Sequence, residues 1–147
     1  MWVREVVIRY KPGKRWPSAL KAQEDLAAYA HKALELEDGD PSRETAIAIV
    51  LDTRLRPLCF ESYGGGASSA VVDCMSILRA VLMAGGTALA LAHVHPSGDV
   101  TPSDDDRRMT RQVQLGCDAV GVRFIDHVVV TAGGLWASAY SARSGTL

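Results

Sequence analysis

Cysteine is sparse in this 147-residue chain: Cys59, Cys74 and Cys117 are odd in number, widely spaced and never form a C-x-x-C pair. That excludes a disulfide framework and a cysteine-based zinc knuckle. The three thiols are expected to be small buried hydrophobes. An excess of charge of either sign is also lacking, since 16 Lys and Arg oppose 17 Asp and Glu for a net charge of −1. Non-specific phosphate binding relies on a bulk positive field, so composition does not support nucleic acid as the partner. Long apolar runs are missing too. Stretches free of charge and histidine, such as Ala80 to Ala92, fall short of the about 20 residues a bilayer span needs. No apolar segment of the secretory type follows Met1-Trp2-Val3-Arg4-Glu5, so a soluble, cytoplasmic protein is expected.

Several catalytic signatures are absent as well. There is no G-x-S-x-G elbow of a serine hydrolase. Gly64-Gly65-Gly66 lacks the G-x-x-x-x-G-K-[ST] pattern of a phosphate loop, and a strand-to-helix turn is the better reading. A nucleobase deaminase needs H-x-E and P-C-x-x-C, which His95-Pro96-Ser97 and the isolated Cys117 do not supply.

What is present fits one folded domain over residues 1–147. Hydrophobic residues make up 48% and charged residues 22% of the chain, an ordinary globular balance. At this size roughly 68–70% of the unfolded surface can be buried, enough for a core without staples. Trp2 to Tyr10 reads as a strand, followed by a loop at Pro12-Gly13. From Pro17 to Glu37 the spacing is helical, with Ala19, Ala22, Leu26, Ala30, Ala33 and Leu34 on one face. Thr45 to Leu51 reads as a buried strand, turned at Asp52-Thr53-Arg54 into a second one from Pro57 to Tyr63. Val71 to Met83 is helical, Ala88 to Ala92 a central strand, and Ser103 to Leu115 a helix. Gly121 to Thr131 and Leu135 to Ser138 close the pattern. Strands alternating with helices predict an α/β or α+β sheet with helices packed on it.

Two of the four histidines, His93 and His95, sit one residue apart beyond the central strand. In extended backbone such residues point the same way, so the two imidazoles can converge on one ion. Pro96 and Gly98 bend the chain, and Pro102-Ser103 opens a helix that can bring Asp106 back over them. Two neutral imidazoles and one carboxylate leave a fourth tetrahedral position open, the layout of a catalytic zinc site. Each part has a plainer reading. A lone His-x-His is more often solvated than metal-bound, and Ser103-x-x-Asp106 is also a capping box. Asp99, Asp104, Asp105 and Asp106 also offer a magnesium site for nuclease chemistry, but the adjoining imidazoles favour zinc.

Together, His93-x-His95-x7-Ser103-x2-Asp106 resembles the JAMM signature of the JAB/MPN metalloprotease superfamily. The string from His93 to Asp106 is similar to the RadC branch, whose usual form is HNHPSGD-x-x-PS-x-x-D. Glu44 with Leu51-Asp52, the segment Asp126 to Val130, and Ser138 extend the match to a core of about residues 44–138. The resemblance implies a cytidine-deaminase-like mixed sheet flanked by helices, without the helix-hairpin-helix region of longer members. It implies one zinc ion held by His93, His95 and Asp106. Glu44 would be the general acid/base, and Ser103 would donate to the developing oxyanion while capping the helix. The implied activity is hydrolysis of a peptide or isopeptide bond, with a peptide or protein as substrate. Two alternatives stand beside it: a DNA-repair-associated nuclease and a non-catalytic metal-binding module. His127 is the remaining plausible ligand, but its place in the resemblance favours a structural histidine, bonded locally with Asp126, over a fourth ligand. Val94 replaces the usual Asn, which is expected to alter hydrogen bonding around the ligands. Gly85-Gly86 stands where Asn-Ala is typical, and Asp73 roughly where the preceding helix usually has an arginine.

Overall fold

Strand alternation divides the side chains between two faces of one sheet. The computed structural model describes residues 19–36, 42–64 and 73–140. In chain order the elements are α1 (Gln23–Leu36), β1 (Thr45–Leu51), β2 (Pro57–Gly64), α2 (Cys74–Met83), β3 (Ala88–Val94), α3 (Asp104–Val120), β4 (Arg123–Val130) and β5 (Trp136–Ser138). The strands lie in the order β2-β1-β3-β4-β5. β1 is antiparallel to both β2 and β3, and β5 is antiparallel to β4. β3 and β4 run parallel, which requires a crossover, supplied here by α3.

Ile47, Ile49 and Leu51 of β1 join Ala88, Ala90, Ala92 and Val94 of β3 in a core with Leu26, Ala30 and Ala33 of α1. The alternate residues Ala48, Val50, Leu89 and Leu91 form a second core with Ile77 and Val81 of α2 and Val113 and Cys117 of α3. A mixed sheet flanked by helices, as expected from the sequence, is the result. His93 and His95 share the parity of Leu89 and Leu91, so they belong to the α3 side.

Some boundaries differ from the sequence reading. The expected strand Trp2 to Tyr10 and the loop after it lie outside the described residues. α1 starts at Gln23 because the Asp25 carboxylate accepts from the backbone N–H groups of Lys21 and Ala22, at 2.8 and 3.0 Å. Those donors are thereby satisfied outside the helix. Asp73 is not inside α2. It is the N-cap, accepting from Met75 N at 3.2 Å. β3 continues past Ala92 to Val94, and α3 continues past Leu115 to Val120. The expectation of three buried cysteines is corrected: Cys117 is buried, Cys74 half-buried and Cys59 exposed. Cys59 lies on β2, which is an edge of the sheet among the described residues. Burial pushes the Cys117 thiol up to about 12.

Candidate metal centre

Sheet register carries Glu44 to the histidines. Thr45 pairs with Val94 and Ala46 with His93, so the residue before β1 arrives beside the end of β3. Glu44 Oε1 lies 3.2 Å from His93 Nε2, and the Glu44 side chain stays 46% exposed. Beyond β3, His95 N–H still donates to Val130 O at 2.8 Å. That bond keeps the segment extended, and the rings of His93 and His95 meet edge to face with centroids 5.0 Å apart.

Asp106 reaches the same place through its cap. Ser103 Oγ accepts from Asp106 N at 3.1 Å, while Ser103 N–H and its hydroxyl donate to Asp106 Oδ2 at 2.7 and 2.6 Å. This capping box closes two orphan donors at the start of α3. It also aims the carboxylate, whose Oδ1 meets His93 Nδ1 and whose Oδ2 is 3.4 Å from His95 Nε2. Burial raises the pKa of Asp106, but the hydrogen bonds from His93 and Ser103 and the charge of His93 outweigh it. The carboxyl is held well below its usual range.

Counting protons shows what the cluster lacks. His95 Nδ1 is 2.9 Å from the Asp99 carbonyl. A carbonyl only accepts, so a neutral His95 carries its proton on Nδ1 and turns a lone pair toward the Asp106 oxygen. A neutral His93 has one proton to offer two carboxylates, Glu44 and Asp106. A cation among these atoms answers both shortfalls, and imidazoles with carboxylates suit a borderline divalent ion. Two overlapping donor sets, Glu44–His93–His95 and His93–Asp106–His127, each have their ligand atoms within 4.8 Å of one another. The structure therefore gathers all the residues picked from the sequence: Glu44, His93, His95, Ser103 and Asp106. Asp99 and Asp105 are turned to other work. The Asp99 carboxylate accepts from Thr101 N at 2.8 Å, and Asp105 pairs with Arg108 at 2.6 Å.

The expected local bond between His127 and Asp126 is made by the His127 backbone N–H, which donates to Asp126 Oδ1 at 2.7 Å. The ring is fully buried, lies near-parallel to His93 with centroids 6.3 Å apart, and has Nδ1 2.7 Å from Thr110 Oγ1. Burial, then the charge of His93, lowers its pKa to about 4. The β4 alternation puts His127 and Val129 on one face, and the pairings Leu91↔His127 and His93↔Val129 make it the face of His93. The expectation for Val94 is corrected. Its side chain is buried in the α1-side core, on the face of the sheet opposite His93, so it does not contribute to the hydrogen bonding around that histidine.

The RadC-like JAB domain family matches residues 20–145. This chain belongs to that family. Over 100 residues it is 38% identical to a UPF0758 protein of Actinobacillus pleuropneumoniae serotype 5b (strain L20), covering 67% of this chain and 44% of that protein. A UPF0758 protein of Coprothermobacter proteolyticus is 33% identical over 108 residues, 73% of this chain and 46% of that one. A Burkholderia cenocepacia UPF0758 protein is 37% identical over 111 residues, 75% and 43% of the two chains. The chain thus spans less than half the length of these relatives. The RadC-like JAB match contains the whole cluster from Glu44 to His127, and it supports a metal-dependent, hydrolase-like fold. Among the described residues of this JAB domain, no helix is long and apolar enough to cross a membrane.

Proposed function

We propose that this RadC-like JAB domain is a zinc-dependent hydrolase of amide bonds, acting on a peptide or isopeptide linkage in a peptide or protein. The observation that carries the reading is the meeting of Glu44, His93, His95 and Asp106, which come from three separate segments, with one exposed acid at the rim. His93, His95 and Asp106 would hold the ion. Bound zinc supplies Lewis acidity, which polarises a carbonyl and makes water a usable nucleophile near neutral pH.

The protein's own groups supply the rest. Glu44 is exposed where a substrate can approach, and its carboxylate takes a proton from the attacking water and returns it to the leaving amine. Ser103 fixes the Asp106 carboxylate through two hydrogen bonds. Its hydroxyl serves the oxyanion as well, which requires it to leave Asp106 Oδ2 during the reaction. The net charge of −1 and the outward engagement of Asp99 and Asp105 favour this reading over a magnesium nuclease.

The test pairs metal content with turnover. His93→Ala, His95→Ala and Asp106→Ala should each lose stoichiometric zinc. Glu44→Gln should keep zinc and lose about 10²–10⁴-fold in hydrolysis of a quenched peptide and isopeptide library. Full zinc occupancy in all three ligand variants would overturn the ligand set. Wild-type activity in Glu44→Gln would remove the acid/base role.

A further inference from the structure

We propose that His127 is a donor of this metal centre, forming with His93 and Asp106 an inner, buried position for a divalent cation beneath the outer one. The inference rests on the reading above that the cluster takes a cation, and it adds a side chain from β4 to it.

Three observations carry it. First, the ligand atoms of His93, Asp106 and His127 lie within 4.8 Å of one another. Second, the tautomer of His127 is set by its neighbour. Thr110 Oγ1 has one proton, and it goes to the Asp106 carbonyl at 2.6 Å. Toward His127, 2.7 Å away, that oxygen can only accept. Nδ1 therefore carries the ring proton and Nε2 the lone pair, the form in which an imidazole binds metal. Third, Nε2 is buried and has no hydrogen-bond partner among the described residues. A histidine kept for packing alone should have that lone pair answered by a donor, as buried polar atoms are. A cation shared with His93 and Asp106 answers it.

The arrangement also follows a known logic of metal sites, in which a hydrogen bond on one ring nitrogen orients the other toward the ion. For His95 the orienting group is the Asp99 carbonyl; for His127 it is the Thr110 hydroxyl. Thr110 lies one helical turn after Asp106, so α3 presents one ligand and orients another.

The deciding experiment titrates the cation-free, 15N-labelled 147-residue chain with ¹¹³Cd²⁺ and observes the imidazole nitrogens by long-range ¹H–¹⁵N NMR. A one-bond ¹¹³Cd coupling at His127 Nε2, beside one at His93, is the expected result. Two variants accompany it: His127→Phe, which keeps a ring in the space, and Thr110→Val, which keeps the shape and removes the acceptor. Each should weaken cadmium binding by roughly 10–100-fold. Coupling at His93 and His95 with an unmoved His127 Nε2 overturns the inference and leaves the proposed function standing. Coupling at no histidine overturns both. Coupling at His127 in a protein that hydrolyses no amide leaves the inference and removes the activity.

Discussion

A single imidazole governs how the cation-free protein answers mild acid. His127 faces His93 and His95 from β3 and the segment after it, and Asp106 from α3. Burial and the charge of His93 bring its pKa from 6.5 down to about 4, against the opposing pull of Asp106. The unfolded chain takes up this proton near 6.5 and the folded chain only near 4. Between those values the unfolded state binds more protons, so folding weakens as pH falls, by at most about 1.4 kcal/mol per pH unit. Above 6.5 both states are neutral at this site and the contribution is flat. Asp106 acts lower, because a depressed carboxyl loses its stabilisation only below the ordinary 3.8. Asp126, raised chiefly by burial, opposes the trend but does so equally with or without His127. Urea midpoints of chelator-treated protein at pH 7 and pH 4.5 should therefore fall further for wild type than for His127→Phe. Equal falls would show that the buried ring is not the group responsible.

At the scale of elements, the turn from α2 into β3 is fitted to one side chain of β1. A Cβ on Gly86 would stand 2.3 Å from Val50 Cγ1 and 3.3 Å from Val81 Cγ1. Val50 is fully buried and, being β-branched, cannot swing aside. Gly86→Ala should cost about 1–3 kcal/mol by overpacking. Val50→Ala in the same chain makes room, so the double variant should be less destabilised than the two single losses added together. Strict additivity in denaturation midpoints would show that the two residues do not share this space. Gly85 beside Gly86 has a φ of 66°, a left-handed conformation that glycine adopts at no steric cost. The start of α3 is tuned in the same local way. Ser103→Ala removes the side-chain half of its capping box and the hydroxyl bond to Asp106 Oδ2 while keeping the backbone N–H bond to that carboxylate. It should cost about 1 kcal/mol, with a weaker hold on Asp106 and a lower zinc affinity by equilibrium dialysis. Unchanged zinc affinity would separate the cap from the centre.

The elements legible in the sequence were those whose signal is local. β1 is an unbroken apolar run ending at Asp52, which accepts from Arg54 and Arg56 N–H. Ser103 and Asp106 name their own cap. Helix ends were less visible where a distant residue decides them. The sequence reading ends α3 at Leu115, yet the helix runs on through Gly116 to Val120, where the missing side chain of Gly116 admits Leu78 of α2, whose Cδ1 would be 2.6 Å from a Cβ there. The site divides likewise. His93, His95 and Asp106 were found because they are close in sequence, and Glu44 through the extended match to the RadC pattern. His127 depends on the β3–β4 register, which no spacing within either strand reveals.

For the whole molecule, the proposed function makes cation binding and folding one equilibrium, because the candidate donors meet only over long range. The donors come from the residue before β1, the end of β3, the first turn of α3 and, on the inference above, β4. Only a sheet with α3 docked on it brings them together, so on the proposed function the ion would bind the folded state and not the unfolded chain. Such a ligand stabilises by RT ln(1 + [L]/Kd), about 2.7 kcal/mol at a hundredfold excess over Kd. For a chain of this size, each kcal/mol moves Tm by about 2–4 °C. Zinc at that excess should raise Tm by roughly 5–10 °C above the chelated protein. His93 stands in both donor sets, so His93→Ala should abolish the rise, whereas Glu44→Gln should keep most of it while losing turnover. An equal rise in His93→Ala, followed by scanning calorimetry against zinc concentration, would place the stabilising ion elsewhere and break the link between this cluster and the stability of the fold.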